Sequence, residues 1–402
     1  MDYISAKIKN FIVSSVPSVI RFVTKHNVMA IKVLQSMAGI SNMPNEINDL
    51  IRLNVNHVLY SDDEIDYKQL LNIINKYKIT LDSLTPINAG MVAIVFSGMN
   101  CENKRVVVKM KRKNIKSRII KSFKQFKYIY NVAFYFMYYF FAEAFANIDS
   151  FIKTEDFILT QCEFENEINA MEYTRINISQ YEDDIVIPMC YNDEHDRINT
   201  EFIMMEFIDG RSCFDIEDKH KIKLVELLVK FMSITGTLID VGHADLHPGN
   251  IIVITHNDIV KLGIIDFGMH VNTSDPLLRE FAITMINVAT GSKQDVLKIF
   301  SKFLDPPFDV SILKTDEYKH LNAKVELFVH RSTEGILCEN DVILLVDEFR
   351  HFSRDKQIVA SYIFIKYIMS ASMMQSTIRL LIKDEQVLAS TYKRALKVIM
   401  SY

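Results

Sequence analysis

The sequence predicts an α+β chain in two lobes: a first lobe built on a sheet, a second lobe mostly helical, and a helical extension at the N-terminal end. Three observations predict it. Short β-branched runs bounded by turn formers concentrate between Leu81 and Gly210. Apolar residues spaced by three and four dominate 1–80 and most of 211–402. A chain of 402 residues, 49% apolar and 24% charged, has an ordinary globular composition and can bury a large, divided core.

The elements follow in order. Residues 1–80 form the extension, with helical spacing in Ile8, Phe11, Ile12 and again in Leu70, Leu71, Ile73, Ile74. Residues 81–210 form the first lobe. Pro86–Gly98 and Arg105–Met110 are β-rich and are joined by the polar turn Asn100-Cys101-Glu102-Asn103. Lys109 closes the run Val106-Val107-Val108, a setting that suits an ammonium contacting phosphate. Inserted helices are expected over about 114–160. Glu163-Phe164-Glu165-Asn166-Glu167 opens a further helix, from which Glu167 could pair with Lys109. Ile185–Pro188 and Phe202–Ile208 are predicted strands, and Glu206-Phe207-Ile208-Asp209-Gly210 is predicted to hinge the lobes. Residues 211–402 form the second lobe, helical apart from one hairpin.

That hairpin carries the chemistry. Ile251-Ile252-Val253-Ile254 and Val260–Ile265 are its strands. The stretch Gly242-His243-Ala244-Asp245-Leu246-His247-Pro248-Gly249-Asn250 leads into it, and Asp266-Phe267-Gly268 leaves it. Asp245, Asn250 and Asp266 are thereby expected to converge. An aspartate can accept a proton or orient a nucleophile, and hard oxygens such as those of Asn250 and Asp266 hold Mg²⁺ on nucleotide phosphates. His243 is expected to orient the loop backbone, and His247 likewise.

Other classes are excluded or narrowed. A net charge of −4 predicts no nucleic-acid partner for the molecule as a whole. Cys101, Cys162, Cys190, Cys213 and Cys338 form no CxxC pair and are odd in number. That argues against a zinc site or disulfide framework and for a reducing compartment. Met1–Asn27 lacks the continuous apolar core and cleavage site of a secretory signal. It is amphipathic and poor in acids, but a motif at Lys32 lies close behind, so a mitochondrial presequence is the weaker expectation. Val132–Ala142 and Ile358–Ile382 are too short or too interrupted by charge to reach the roughly 18–20 apolar residues of a spanning helix. An intracellular protein, cytoplasmic or peripherally bound to membrane, is expected.

The stretch from Lys109 to Lys127 holds nine basic residues and no acid. Ile115, Ile119, Ile120 and Phe123 share one helical face while Lys116, Lys121, Lys124 and Lys127 lie mostly on another. With the aromatic run Tyr128–Phe141 behind it, 109–141 is either a helix resting on an anionic membrane surface or a solvated helix face followed by a core helix.

Taken in order, Lys109, Glu167, Met205–Gly210, His243–Asn250 and Asp266-Phe267-Gly268 resemble the UbiB family of atypical kinases, whose loop has this HxDxHPGN form. The resemblance covers about 28–300 and, more loosely, the C-terminal helices. It implies a two-lobed protein-kinase-like fold binding ATP and Mg²⁺. Lys109 would contact the α- and β-phosphates and Glu167 would hold it. Asp245 would be the catalytic-loop aspartate, and Asn250 and Asp266 would ligate the metal. Backbone groups near Glu206 and Ile208 would bind adenine. The family's KxGQ element resembles Lys32-Val33-Leu34-Gln35, placing Lys32 and Gln35 over the site, and its alanine-rich loop resembles Ala89-Gly90-Met91-Val92-Ala93. Family members support ubiquinone and other isoprenoid lipid pathways, which implies a lipid or small-molecule acceptor.

The departures fall in the gating elements. Leu34 replaces a glycine, Gln161 and Glu163 replace the family's ExD carboxylates, and Gly90 interrupts the alanines. Met269–Pro276 is too short for a peptide-docking segment, and no APE motif follows, which argues against an ordinary Ser/Thr protein kinase. The alternatives are a catalytically weak pseudokinase scaffold and a small-molecule kinase of the aminoglycoside or choline type. The latter leaves the His-Pro-Gly insertion unexplained.

Overall fold

The computed structural model describes residue 27 and residues 60–137, 155–292, 295–333, 339–353 and 358–400. Lys32, Leu34, Gln35, Cys338 and the end of the aromatic run, 138–141, lie outside them, as does most of the predicted N-terminal extension. The chain divides into two units. Glu155–Ile168 and Met189–Phe207 join the residues before them in one; Asn169–Pro188 and Ile208–Tyr402 form the other.

The first unit begins with α1 (Tyr67–Tyr77). Asp66 caps it by accepting from the Gln69 N–H at 3.1 Å, and Lys78 ends it in the left-handed conformation. Strands β1 (Thr80–Leu81), β2 (Asn88–Ala89), β3 (Ala93–Met99) and β4 (Arg105–Lys111) follow, and β3 and β4 pair antiparallel over their full length. Asn100 tightens their turn by accepting from the N–H groups of Glu102 and Lys104 at 3.0 and 2.9 Å. Later in the chain β6 (Phe202–Glu206) pairs with the other side of β4. Alternation along β4 separates two faces: Val106, Val108 and Met110 join Leu70, Ile73, Ile94, Phe96 and Met204 in one core. Lys109 is therefore sent to the opposite face.

Helix α2 (Ile115–Met137) buries Ile115, Ile119 and Phe123, as its spacing predicts, while Lys116, Lys121 and Lys124 are exposed. Much of the basic stretch around them is committed to ion pairs. Arg112 and Arg118 both reach Glu64, at 2.5 and 2.8 Å, Lys111 reaches Glu201 at 2.9 Å, and Lys127 reaches Glu155 at 2.5 Å. Helix α3 (Phe164–Ile178) carries Glu167 in its first turn.

In the second unit, β5 (Ile185–Val186) is shorter than the predicted strand and pairs parallel to β10 (Ile259–Ile264). With β7 (Arg211–Ser212) and β9 (Ile251–His256) these strands form a sheet of order β5-β10-β9-β7. β9 and β10 are the predicted hairpin. Asn257 and Asp258 make its two-residue turn with φ of 48° and 64°, the left-handed pair that fits strand twist. Gly210 is required where it stands: a Cβ there would lie 2.5 Å from the Ile252 side chain and 2.7 Å from the Val253 carbonyl.

Helix α4 (Asp218–Thr237) is a central post, burying Leu224, Val225, Leu227, Leu228, Phe231 and Ile234. Short strands β8 (Val241–His243) and β11 (His270–Asn272), not predicted from the sequence, pair antiparallel with His243 opposite His270. Helices α5 (Pro276–Ala289), α6 (Thr315–Thr333), α7 (Glu339–Phe352), α8 (Tyr362–Leu381) and α9 (Glu385–Ile399) complete the unit. Asp275 caps α5 through the N–H groups of Leu277 and Leu278, so the chain is helical again almost at once after β11. Phe281, Phe303 and Phe364 form an aromatic core with centroids 5.0 to 5.4 Å apart. No helix of the described residues is long and apolar enough to cross a membrane.

Candidate active site

In the first unit, strand alternation delivers Lys109 to the face of β4 opposite the apolar core. Its ammonium lies 2.6 Å from Glu167 Oε1, with the two side chains 9% and 2% exposed. The ammonium also sits 5.5 Å from the Phe164 ring centroid. A charge pair this buried is held by both partners together, since either charge alone would bear its full desolvation cost.

The β2–β3 turn carries Ala89, Gly90 and Ala93. Gly90 N–H donates to the Ala93 carbonyl at 2.8 Å, and Ala89 and Ala93 are buried. A Cβ on Gly90 would meet only the Ala93 carbonyl oxygen, at 3.8 Å, so the turn itself does not demand glycine. At the end of β6, the Glu206 N–H donates to the Met189 carbonyl at 2.9 Å, which commits that donor. Sequence reasoning missed Asn192, which stands in for a neighbouring strand. Its Oδ1 accepts from the Met204 N–H at 2.8 Å and its Nδ2 donates to the Phe202 carbonyl at 3.1 Å.

In the second unit, the loop from His243 to Asn250 is bonded to itself at nearly every step. His243 is buried. Its Nε2 contacts the Asp266 carbonyl and its Nδ1 accepts from the Asp245 N–H at 3.1 Å. Nε2 therefore carries the proton, and the ring is neutral. Burial pushes its pKa down to about 4, against the nearby carboxylates of Asp245 and Asp266, which pull the other way. The ring also meets Phe267 edge to face, with centroids 5.1 Å apart. One imidazole thus ties the Asp245 loop to the Asp266-Phe267-Gly268 turn.

Asp245 is buried, and its carbonyl accepts from the His247 N–H and the Asn250 Nδ2, both at 2.8 Å. His247 Nδ1 accepts from the Gly249 N–H at 3.0 Å, which shapes the 3₁₀ turn Pro248–Asn250. The Ile265 N–H donates to the Asn250 carbonyl at 3.2 Å, and the Ala244 N–H to that of Met269 at 2.9 Å. Asp266 Oδ1 accepts from the Gly268 N–H at 2.9 Å. The structure thus brings His243, Asp245, Asn250 and Asp266 together at the two ends of one hairpin, and brings Lys109 to Glu167.

The family model of the ABC1 atypical kinase-like domain matches residues 78–300, more than half of the 402-residue chain. The chain belongs to this family. Its fold is α+β and protein-kinase-like, and the resemblance to the UbiB atypical kinases holds. The match begins after residue 77, so the KxGQ-like element Lys32–Gln35 falls outside it. No curated protein matches the chain. Among solved structures, the Rv3197–erythromycin complex from Mycobacterium tuberculosis is similar at 12% identity and a TM-score of 0.46, covering 94% of this chain and 97% of that one. The Rio2 kinase–ADP/Mg²⁺–phosphoaspartate complex from Chaetomium thermophilum is 12% identical, with coverage of 84% and 95% and a TM-score of 0.34. A MAP kinase from Leishmania major is 14% identical, with coverage of 81% and 87% and a TM-score of 0.30.

The ABC1 chain's donors suit a magnesium ion. The Asn250 amide nitrogen is spent on the Asp245 carbonyl, which sets the orientation of the amide and of its oxygen. Asp266 adds a carboxylate. An amide oxygen and one carboxylate, completed by phosphate and water, is the hard-oxygen set Mg²⁺ accepts. Among the described residues no group of three or more His, Cys, Asp or Glu is placed to hold a metal ion.

Proposed function

We propose that this ABC1-family chain binds Mg-ATP and transfers or hydrolyses its γ-phosphate. The observation that carries the reading is the His243 bridge. A neutral, buried imidazole holds the backbone of Asp245 and the backbone of Asp266 at once. A structural loop has no need to lock two carboxylate-bearing segments to each other, whereas phosphoryl transfer depends on such positioning.

The roles follow from the chemistry of each group. Lys109, oriented by Glu167, contacts the α- and β-phosphates. Asn250 and Asp266 hold Mg²⁺, which supplies charge neutralisation on the phosphates when bound. Asp245 accepts the proton of the attacking hydroxyl or water as the oxygen–phosphorus bond forms and the bond to the ADP oxygen breaks. With the Glu206 N–H already committed, Ile208 supplies the backbone donor for adenine. In the β2–β3 turn, Gly90 lets the backbone approach phosphate more closely than alanine would. The acceptor class, an isoprenoid-linked or other small molecule, rests on the family alone. The exposed Lys116, Lys121 and Lys124 are the part of the basic stretch that suits an anionic membrane surface.

Purified protein is expected to rise in thermal midpoint with Mg-ATP and to lose that rise in Asp266→Ala. Mg-dependent ATP hydrolysis is expected to vanish in Asp245→Asn. A wild-type protein that binds Mg-ATP without turnover is a pseudokinase scaffold, and one that shows no Mg-ATP shift at all sinks the nucleotide reading.

A further inference from the structure

Two hydroxyls far along the chain from the Asp245 loop are spent on it. Ser370 and Thr377 both lie on α8 and are 5% and 1% exposed. Ser370 Oγ donates to the His243 carbonyl, and Thr377 Oγ1 donates to the Leu246 carbonyl at 3.0 Å. The two accepting carbonyls bracket Ala244 and Asp245. A serine or threonine inside a helix ordinarily returns its hydroxyl to a carbonyl one turn back. Thr377 has that option in Met373, at 3.2 Å, but its single proton has the nearer partner in Leu246.

The placement suits a clamp. Positions 370 and 377 are two helical turns apart and so share a face, separated by about 10 Å along the axis. That is the order of distance three residues of chain can span. The helix behind the hydroxyls is firmly seated. Phe364 and Ile378 are fully buried, and Phe364 packs against Phe281, Phe300 and Phe303 at 5.0 to 5.4 Å. Packing alone would accept alanine at 370 and valine at 377. What those residues lack is the donor.

We propose that α8 is a brace that sets the position of Asp245, with Ser370 and Thr377 as positioning residues of the phosphotransfer site. The inference rests on the Mg-ATP reading for its catalytic consequence, but not for its geometry. Removing the Thr377 hydroxyl leaves the Leu246 carbonyl without that donor and lets the segment carrying Asp245 drift, while the Lys109–Glu167 pair keeps its own bond.

The test uses full-length Thr377→Val, Thr377→Ser and Ser370→Ala, each read two ways. Without nucleotide, amide hydrogen exchange across 244–250 is expected to run about fivefold faster in Thr377→Val and to return to the wild-type rate in Thr377→Ser. With Mg-ATP, kcat is expected to fall by about tenfold or more with KM held within about twofold, and the serine to restore it. Equal exchange in wild type and Thr377→Val overturns the brace, and so does a serine variant that behaves like valine. A fall in kcat matched by a rise in KM overturns the positioning role. Absence of wild-type turnover sinks the Mg-ATP reading instead, and loop exchange then decides the brace by itself. Should Thr377→Val fail to fold, Ser370→Ala carries the same expectations.

Discussion

Acid should loosen the Asp245 loop through His243. The ring is neutral because both its nitrogens are committed: Nε2 to the Asp266 carbonyl and Nδ1 to the Asp245 N–H. A proton on Nδ1 would turn that acceptor into a second donor facing a donor. Burial lowers the ring's pKa from 6.5 to about 4, the unfolded chain keeping the ordinary value. Because the folded value is the lower one, the unfolded state binds the proton first. The stability His243 contributes is therefore fully present above pH 6.5, shrinks as the pH falls to about 4, and changes no further below that. At about 1.4 kcal/mol for each tenfold change in the constant, the loss across that window is about 3 kcal/mol.

The assay is urea unfolding of wild type and His243→Asn at pH 7.5 and at pH 4, without nucleotide or metal. Burial also lowers the pKa of His270, so the wild-type slope alone does not isolate the effect. The difference between the two proteins does: wild type is expected to lose about 3 kcal/mol more than the variant. In ¹⁵N-histidine spectra the Nε2–H form should persist down to about pH 5. A ring that titrates near 6.5, or equal losses in the two proteins, would refute the reasoning.

Two further outcomes follow from the first unit. Lys109→Met and Glu167→Gln should each destabilise by about 3–5 kcal/mol, and the double variant by clearly less than their sum, because each single change strands a buried partner. Additive losses in a double-mutant cycle from urea unfolding would show that the pair does not act as one. Gly90→Ala should leave the nucleotide-free protein as stable or about 0.5 kcal/mol more so, since a Cβ there meets only ordinary contact at 3.8 Å. Its Mg-ATP affinity by calorimetry should weaken, and an unchanged affinity would remove the β2–β3 turn from the phosphate site.

The parts of the site legible in the sequence are those whose signal is local. The β9–β10 hairpin announces itself through two β-branched runs and the Asn257-Asp258 turn, and Asp245, Asn250 and Asp266 flank it within a span of 22 positions (266 − 245 + 1). The strand alternation of Val106–Met110 places Lys109 because side-chain direction follows from position parity alone. The β8–β11 pair was not legible: three residues on each side, one of them Gly242, carry too little periodicity to be told from a loop. The parallel pairing of β5 with β10 was not legible either, since the partners lie far apart in sequence and parallel edges leave no turn between them.

By itself, then, the sequence determined the family and singled out the candidate residues for phosphate and metal chemistry. Residue type and short spacing set both. The tertiary structure alone decided how those residues are held: the imidazole of His243 joining two loops, Asn192 finishing a strand edge, and Ser370 and Thr377 reaching carbonyls 127 and 131 positions away. The reason is physical. A buried hydroxyl or amide must find a partner, but nothing local in the chain specifies which one, and only the packing of α8 and β6 in their own units brings the partner within reach.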